Sequence, residues 1–339
     1  MMTRTLIALL FGVLLSAAMP AFAQVNPTYS AALTISSDPS YPTPNSFVEL
    51  TAESPLLDLQ DSTIQWTVNG SPAGTGESVR VAVGALGRPT NVQVSVTGAT
   101  GSDSATLTII PASIDLLWES DSYVPPFYKG RAQPGSGSSV RVLAIPHFVN
   151  GSGALVPSSS LQFTWKLNGA VDRAQSGLGE SSAVFPAASL YGNDTIDVTV
   201  KTSDGSIAAE SSVAVQTQDS QLALYENNPL FGVMYHAALP SIGSASESET
   251  SFVAVPYFAD AVSANDHSLA YQWTVNGSSV AADPLDPSEI TIKAQSAGTA
   301  NVSLSLAKPT DPFFAASGQW QINFSNAAGG TGNVFRTTQ

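Results

Sequence analysis

The string Trp-Thr-Val-Asn-Gly stands at Trp66 to Gly70 and again at Trp273 to Gly277, with Trp-Lys-Leu-Asn-Gly between them at Trp165 to Gly169. The three tryptophans are 99 and 108 residues apart, the length of one β-sandwich domain of the immunoglobulin kind. Large apolar residues alternate before each turn: Ile64, Trp66, Val68; Phe163, Trp165, Leu167; Tyr271, Trp273, Val275. A period of two puts these side chains on one face of a strand. Asn-Gly, the pair best able to take positive φ at both central positions, then predicts a tight hairpin. A buried Trp removes ~150–250 Å² from water, about 4–6 kcal/mol gross at ~25 cal/mol per Å². Trp66, Trp165 and Trp273 are therefore expected at the centres of three cores rather than on a binding surface.

Each Trp strand is preceded by another, FVELTAE, VRVLAIPHF or TSFVAVPYF, and followed by two more. These are Val92–Val96 with Ala105–Ile109, Ile196–Val200 with Val213–Val215, and Val302–Leu306 with Trp320–Phe324. TGATGSDS and KTSDGS read as turns between the first two pairs, and AKPTDPFFAASGQ as the connection in the third. No stretch keeps a helical period over three turns. The expectation is an all-β chain of three tandem immunoglobulin/PKD-like β-sandwiches behind a cleaved signal peptide. The bounds are 1–23 for the signal peptide, 31–111, 112–220 and 221–324 for the sandwiches, and 325–339 for a flexible tail. Gln24 to Ser30 should be similarly loose. Short linkers predict a semi-rigid rod.

The leader rests on Arg4, an apolar run from Leu6 to Met19, and Ala21-Phe22-Ala23 before Gln24. Its rival is an uncleaved N-terminal anchor. Nothing after Gln24 is long and apolar enough to span a bilayer, so the mature chain is expected to be exported, to the cell surface, periplasm or medium. There is no Cys, which removes disulfides and leaves each unit to its own core. Charged residues are 11 % and the net charge is -14, which argues against a nucleic-acid partner.

The strand-Trp-x-x-Asn-Gly unit, repeated over nearly all of Ala31 to Phe324, resembles bacterial PKD-type and related immunoglobulin-like modules. Its turn is plain Asn-Gly where the PKD signature has an Asp-Phe-Gly-Asp-Gly-like turn. With DLLWESDSYVPPFYKG opening the second unit, the order of units is also similar to uncharacterised secreted proteins of small-genome candidate-phylum bacteria. That resemblance implies a setting among pilus and envelope proteins.

Units two and three share more than the Trp. LLWESDSYVPPFYKGRA (Leu116 to Ala132) matches ALYENNPLFGVMYHAAL (Ala223 to Leu239), and Ala144-Ile145-Pro146-His147-Phe148 matches Ala254-Val255-Pro256-Tyr257-Phe258. Proline within these aromatic segments predicts loops or a broken first strand. Trp118, Tyr123, Phe127 and Tyr128 in one, and Tyr225, Phe231 and Tyr235 in the other, are the candidate binding residues. The alternative is that they cover a sandwich edge or form a joint between units.

Chemistry is sparse. His147, His236 and His267 have no metal-ligand spacing, and no metal or cofactor is expected. His147 reads as a satisfied structural residue. No Gly-x-Ser-x-Gly elbow is present. Glu119 with Asp121, and Asp283, Asp286 and Glu289, read as solvated loop charges, and DPLDPSE is too thin for calcium. The chain is expected not to be an enzyme. It reads as a structural, adhesion or envelope-assembly protein, a pilus accessory, whose partner is an envelope or pilus protein. The alternative is a glycan-binding module, and a secreted hydrolase ranks below both.

Overall fold

The computed structural model describes residues 33–99, 101–189, 192–245, 247–325 and 335–338. The expected signal peptide and the start of the mature chain lie outside the described residues. The described residues are all-β, with one three-residue 3-10 turn among them at Ser158–Ser160.

In the first unit β1 (Thr34–Asp38), β2 (Phe47–Glu53) and β5 (Ser78–Ala82) form one sheet in the order β1-β2-β5. The second sheet, β4-β3-β6-β7, holds β3 (Thr63–Val68), β4 (Ser71–Thr75), β6 (Thr90–Gly98) and β7 (Gly101–Ile109). The second unit repeats the plan. Its sheets are β12-β9-β8 and β11-β10-β13-β14, from β8 (Ser113–Ser120), β9 (Ser139–His147), β10 (Gln162–Leu167), β11 (Ala170–Leu178), β12 (Ser182–Pro186), β13 (Asn193–Lys201) and β14 (Ala208–Gln216). The third unit enlarges it to five strands a side. One sheet is β16-β15-β18-β21-β24, from β15 (Gln221–Asn228), β16 (Gly232–Ala238), β18 (Glu249–Tyr257), β21 (Glu289–Ala294) and β24 (Phe335–Thr338). The other is β17-β23-β22-β19-β20, from β17 (Ile242–Ala245), β19 (Ala270–Val275), β20 (Ser278–Val280), β22 (Gly298–Lys308) and β23 (Asp311–Phe324). Pairing is antiparallel except between β17 and β23.

Each pair of sheets closes on its own core, and the repeated tryptophan lies in it. Trp66, Trp165 and Trp273 are 1 %, 0 % and 1 % exposed. Burial leaves each indole N–H in need of an acceptor. A loop carbonyl supplies it every time: Gly76 at 2.8 Å, Glu180 at 2.9 Å and Pro287 at 3.0 Å.

The Asn-Gly pairs adopt the left-handed backbone the hairpin requires, with φ of 49° and 80° at Asn69-Gly70, 51° and 79° at Asn168-Gly169, and 49° and 80° at Asn276-Gly277. Each Asn also ties its turn to the neighbouring strand. Asn168 donates its N–H to the Thr195 carbonyl (2.8 Å), and its Oδ1 accepts the Thr195 N–H (2.9 Å). Asn69 does the same with Asn91, and Asn276 with Asn301. The pentapeptide thus supplies a core anchor, a turn and a clamp on the next strand.

Three sequence expectations change. The segment Ala223 to Leu239, expected as a loop or a broken first strand, is a hairpin: Pro229 falls in the turn between β15 and β16, where it removes no ladder bond. The connection AKPTDPFFAASGQ is mostly strand, with Ala307 facing Ala315 and only the Pro309-Thr310 pair outside β22 and β23. The end of the chain, expected as a tail, carries β24, which pairs with β21 from Thr291↔Thr338 to Ala294↔Phe335. It covers an edge that would otherwise leave backbone groups unpaired.

Candidate binding cleft

Between β8 and β9 the chain leaves the second sandwich and crosses to the third. Tyr123 donates its N–H to the Ala259 carbonyl (2.7 Å), and its own carbonyl accepts the Phe258 N–H (2.8 Å). Its ring packs against the buried cluster of Ala259, Leu269, Leu306 and Phe314. The returning chain passes so close that a Cβ on Gly135 would lie 1.9 Å from the Phe258 carbonyl oxygen. Ser136 donates its hydroxyl to Asp311 (2.8 Å), and the Gln218 N–H donates to the Pro134 carbonyl (2.8 Å). The strap is fixed by these bonds at both ends.

At its crest Pro125-Pro126-Phe127-Tyr128 makes a β-turn closed by the Tyr128 N–H on the Pro125 carbonyl (3.2 Å). Proline at the second position and positive φ at the third are the pattern of a type II turn, whose third residue is normally Gly or Asn. Here it is Phe127, at φ 66° and 90 % exposed. A left-handed non-glycine residue costs about 1–2 kcal/mol. No burial of its ring offsets that cost.

Tyr128 turns the other way, onto the third unit. Its ring meets Tyr257 edge-on at 5.8 Å and Phe258 at 6.0 Å. Beneath them Tyr225, 4 % exposed, packs on Tyr235 at 5.5 Å and shares a 2.6 Å hydroxyl–hydroxyl bond with Tyr257. Burial pushes the Tyr257 phenol up from its ordinary pKa, with the bond to Tyr225 adding to it. Burial likewise raises Tyr235 and Tyr123. These hydroxyls stay protonated at neutral pH.

Strap and sheet enclose a cleft of about 620 Å³. Residues 125–129 form one wall, and Val233, Tyr235, His236 and Tyr257 the other. Lys129 and His236 are in the lining and no carboxylate is, in a chain of net charge -14.

Of the sequence-predicted residues, Phe127, Tyr128 and Tyr235 meet in this cleft, while Tyr123 and Tyr225 support it from below. Trp118 does not join them: it lies on β8 under the Arg131 guanidinium, 4.4 Å from the ring centroid, and packs against the second core. Phe231 is 77 % exposed at the β15–β16 turn, outside the lining. Tyr257 is not among the candidate binding residues of the sequence, and His236 enters there only as a histidine without metal-ligand spacing. Tyr257 stood in the matched Ala-Val-Pro-Tyr-Phe string, where its counterpart His147 concealed it. His147, read as a satisfied structural residue, shares a 2.9 Å hydrogen bond with Asp115 on the neighbouring strand. Among the described residues no group of three or more His, Asp or Glu could hold a metal ion.

No family model matches the chain, and no curated protein does. Among solved structures it is similar to the three N-terminal domains of the highly immunogenic outer capsid protein of bacteriophage RB49. Identity there is 12 % over 87 % of this chain and 98 % of that one, with a TM-score of 0.25. It is also similar to SGBP-B of the Bacteroides ovatus mixed-linkage glucan utilization locus, solved in complex with a mixed-linkage heptasaccharide, at 12 % identity, 84 % and 64 % coverage and TM-score 0.24. A third is the central fibronectin-III array of RIM-binding protein, at 14 % identity, 87 % and 96 % coverage and TM-score 0.28. At these values none of their roles carries over to this chain.

Proposed function

We propose that this chain is a non-catalytic exported binding protein that grips a protein of the cell envelope through the cleft between its second and third units, as an assembly or adhesion factor of the pilus-accessory kind. In this reading the leader 1–23 is removed, and the units 31–111, 112–220 and 221–324, kin to PKD-type modules, hold the cleft at the cell surface. One observation carries the proposal: Phe127 is held in a strained backbone conformation with its ring in solvent at the lip of an aromatic cleft. Strain kept with no packing return is characteristic of a residue retained for an external contact. Exposed aromatics at low entropy cost are the usual anchors of protein interfaces.

A glycan is the alternative ligand, and it calls for coplanar exposed rings. The ring pairs at the cleft are inclined at 57° to 75°, which favours a shaped side-chain pocket over a flat sugar platform. The test is Phe127→Gly. The glycine relieves the left-handed strain, so the melting temperature should hold or rise, while partner capture on intact cells falls at least tenfold. Undiminished capture by the glycine variant contradicts the proposal.

A further inference from the structure

The wall of the cleft that carries Val233, Tyr235 and His236 is β16, and β16 stands at the end of its sheet. One of its edges pairs with β15 at Gly232, Val233 and Ala238, with a register shift between Val233 and Ala238; the other pairs with nothing among the described residues. Unpaired strand edges invite addition of another strand, and proteins ordinarily guard them with charge or proline. This chain does so elsewhere. The edge strands β1, β4, β5, β7, β8, β11, β12 and β14 each contain Asp, Glu, Arg or Pro, among them Pro72, Arg80 and Pro186. The remaining edges, β17, β20 and β24, are only three or four residues long. β16 is the exception, reading Gly-Val-Met-Tyr-His-Ala-Ala over seven residues with no Asp, Glu, Lys, Arg or proline. Its last three residues are exposed. The Leu239 N–H donates to the Leu224 carbonyl (2.7 Å), so by the alternation of an antiparallel ladder the Ala238 N–H points away from β15, to the open side.

Resting on the reading of the cleft as a protein contact, we infer that the outer edge of β16 is a strand-acceptor site, filled by an extended, acidic segment of a partner protein. A strand added there runs about 4.8 Å from β16 and sends alternate side chains toward the cleft. Apolar side chains from the segment enter between Tyr128, Tyr235 and Tyr257. Carboxylates meet Lys129 and His236, against which the cleft sets no acid of its own.

The test uses the full chain. Randomised octapeptides displayed on phage are selected against it, and the enriched peptides are synthesised and titrated. The inference expects peptides with acidic residues beside apolar ones. Their binding should fall at least tenfold in both Phe127→Gly and Ala238→Pro, and they should slow amide exchange across 232–238 at least tenfold. If Ala238→Pro does not fold, Ala238→Lys places a charge on the same edge without removing an N–H. Peptides that need Phe127 but bind the Ala238 variants normally, with exchange in β16 unchanged, overturn the strand-acceptor site and leave the cleft reading standing. Oligosaccharides that bind in a Phe127-dependent way when no peptide does overturn the ligand class. Ligands indifferent to Phe127 overturn both.

Discussion

At the scale of single residues, most of the stabilising logic lies in the repeated pentapeptide. Trp165 is wholly buried, touches Phe185 edge-on at 6.3 Å and satisfies the Glu180 carbonyl. Trp165→Ala should cost about 3–5 kcal/mol, read from urea unfolding of the second unit. Asn168→Ala keeps a turn but loses the clamp on Thr195, at roughly 0.5–1.5 kcal/mol. Asp204 offers a pH test. Its carboxylate accepts hydrogen bonds from Thr202 and Ser206, which hold its pKa down at about 2. A lowered folded-state value means stabilisation present above the ordinary carboxylate pKa and lost as pH falls toward 2. The gap in urea midpoint between the parent and Asp204→Asn should therefore close between pH 4 and pH 2, and a gap constant over that range contradicts the assignment. The burial of the tryptophans and the Asn-Gly turns were legible in the sequence from period and residue type alone. The clamp was not, because the partners Asn91, Thr195 and Asn301 sit 22 to 27 residues away and only the folded register brings them opposite.

At the scale of elements, alternating apolar residues marked the central strands, and the edges escaped. β16 lacks a clean alternation, its burial running through three half-buried residues to three exposed ones. β24 is recognisable only once β21 presents an open edge for it. Proline misled in a specific way: Pro229 indicated a break, which is real, yet the break is a hairpin turn with a strand on each side. The strap depends on close approach, which no pattern of side chains announces. Gly135→Ala puts a methyl against the Phe258 carbonyl and should push the strap away. Amide exchange at Tyr123 and Phe258, whose hydrogen bonds tie the strap down, should rise at least tenfold in that variant. Exchange as slow as in the parent would show that the strap accommodates the methyl.

Across the whole molecule, a glycine marks each joint between successive units. Gly87, at φ 69°, lies where a Cβ would be 2.6 Å from that of Val149, and Gly135 does the same service at the second joint. The Lys201 ammonium over the Tyr41 ring at 5.5 Å adds a second tie between units one and two. The second joint also concentrates tyrosines. Burial raises the phenols of Tyr123, Tyr235, Tyr257 and Tyr271. A raised folded-state value means stabilisation that is whole below about pH 10, where unfolded tyrosine titrates, and that is lost as pH rises beyond it. Absorbance of the phenolate should thus appear above pH 10 together with loss of the third unit's structure; titration of all tyrosines near pH 10 in the folded protein would contradict the packing. That the two aromatic segments share one place could not be read along the chain. Tyr128 and Tyr235 are brought together only by the strap crossing from one sandwich to the next.

The central claim is that the cleft at this joint meets a partner on the cell, and a photoreactive phenylalanine at position 127 tests it most directly. Illumination of intact producing cells should yield a discrete covalent adduct with an envelope protein. The same group at Leu155, 73 % exposed on a loop of the second unit, should give none. Equal labelling from both positions, or none from either, would contradict the claim.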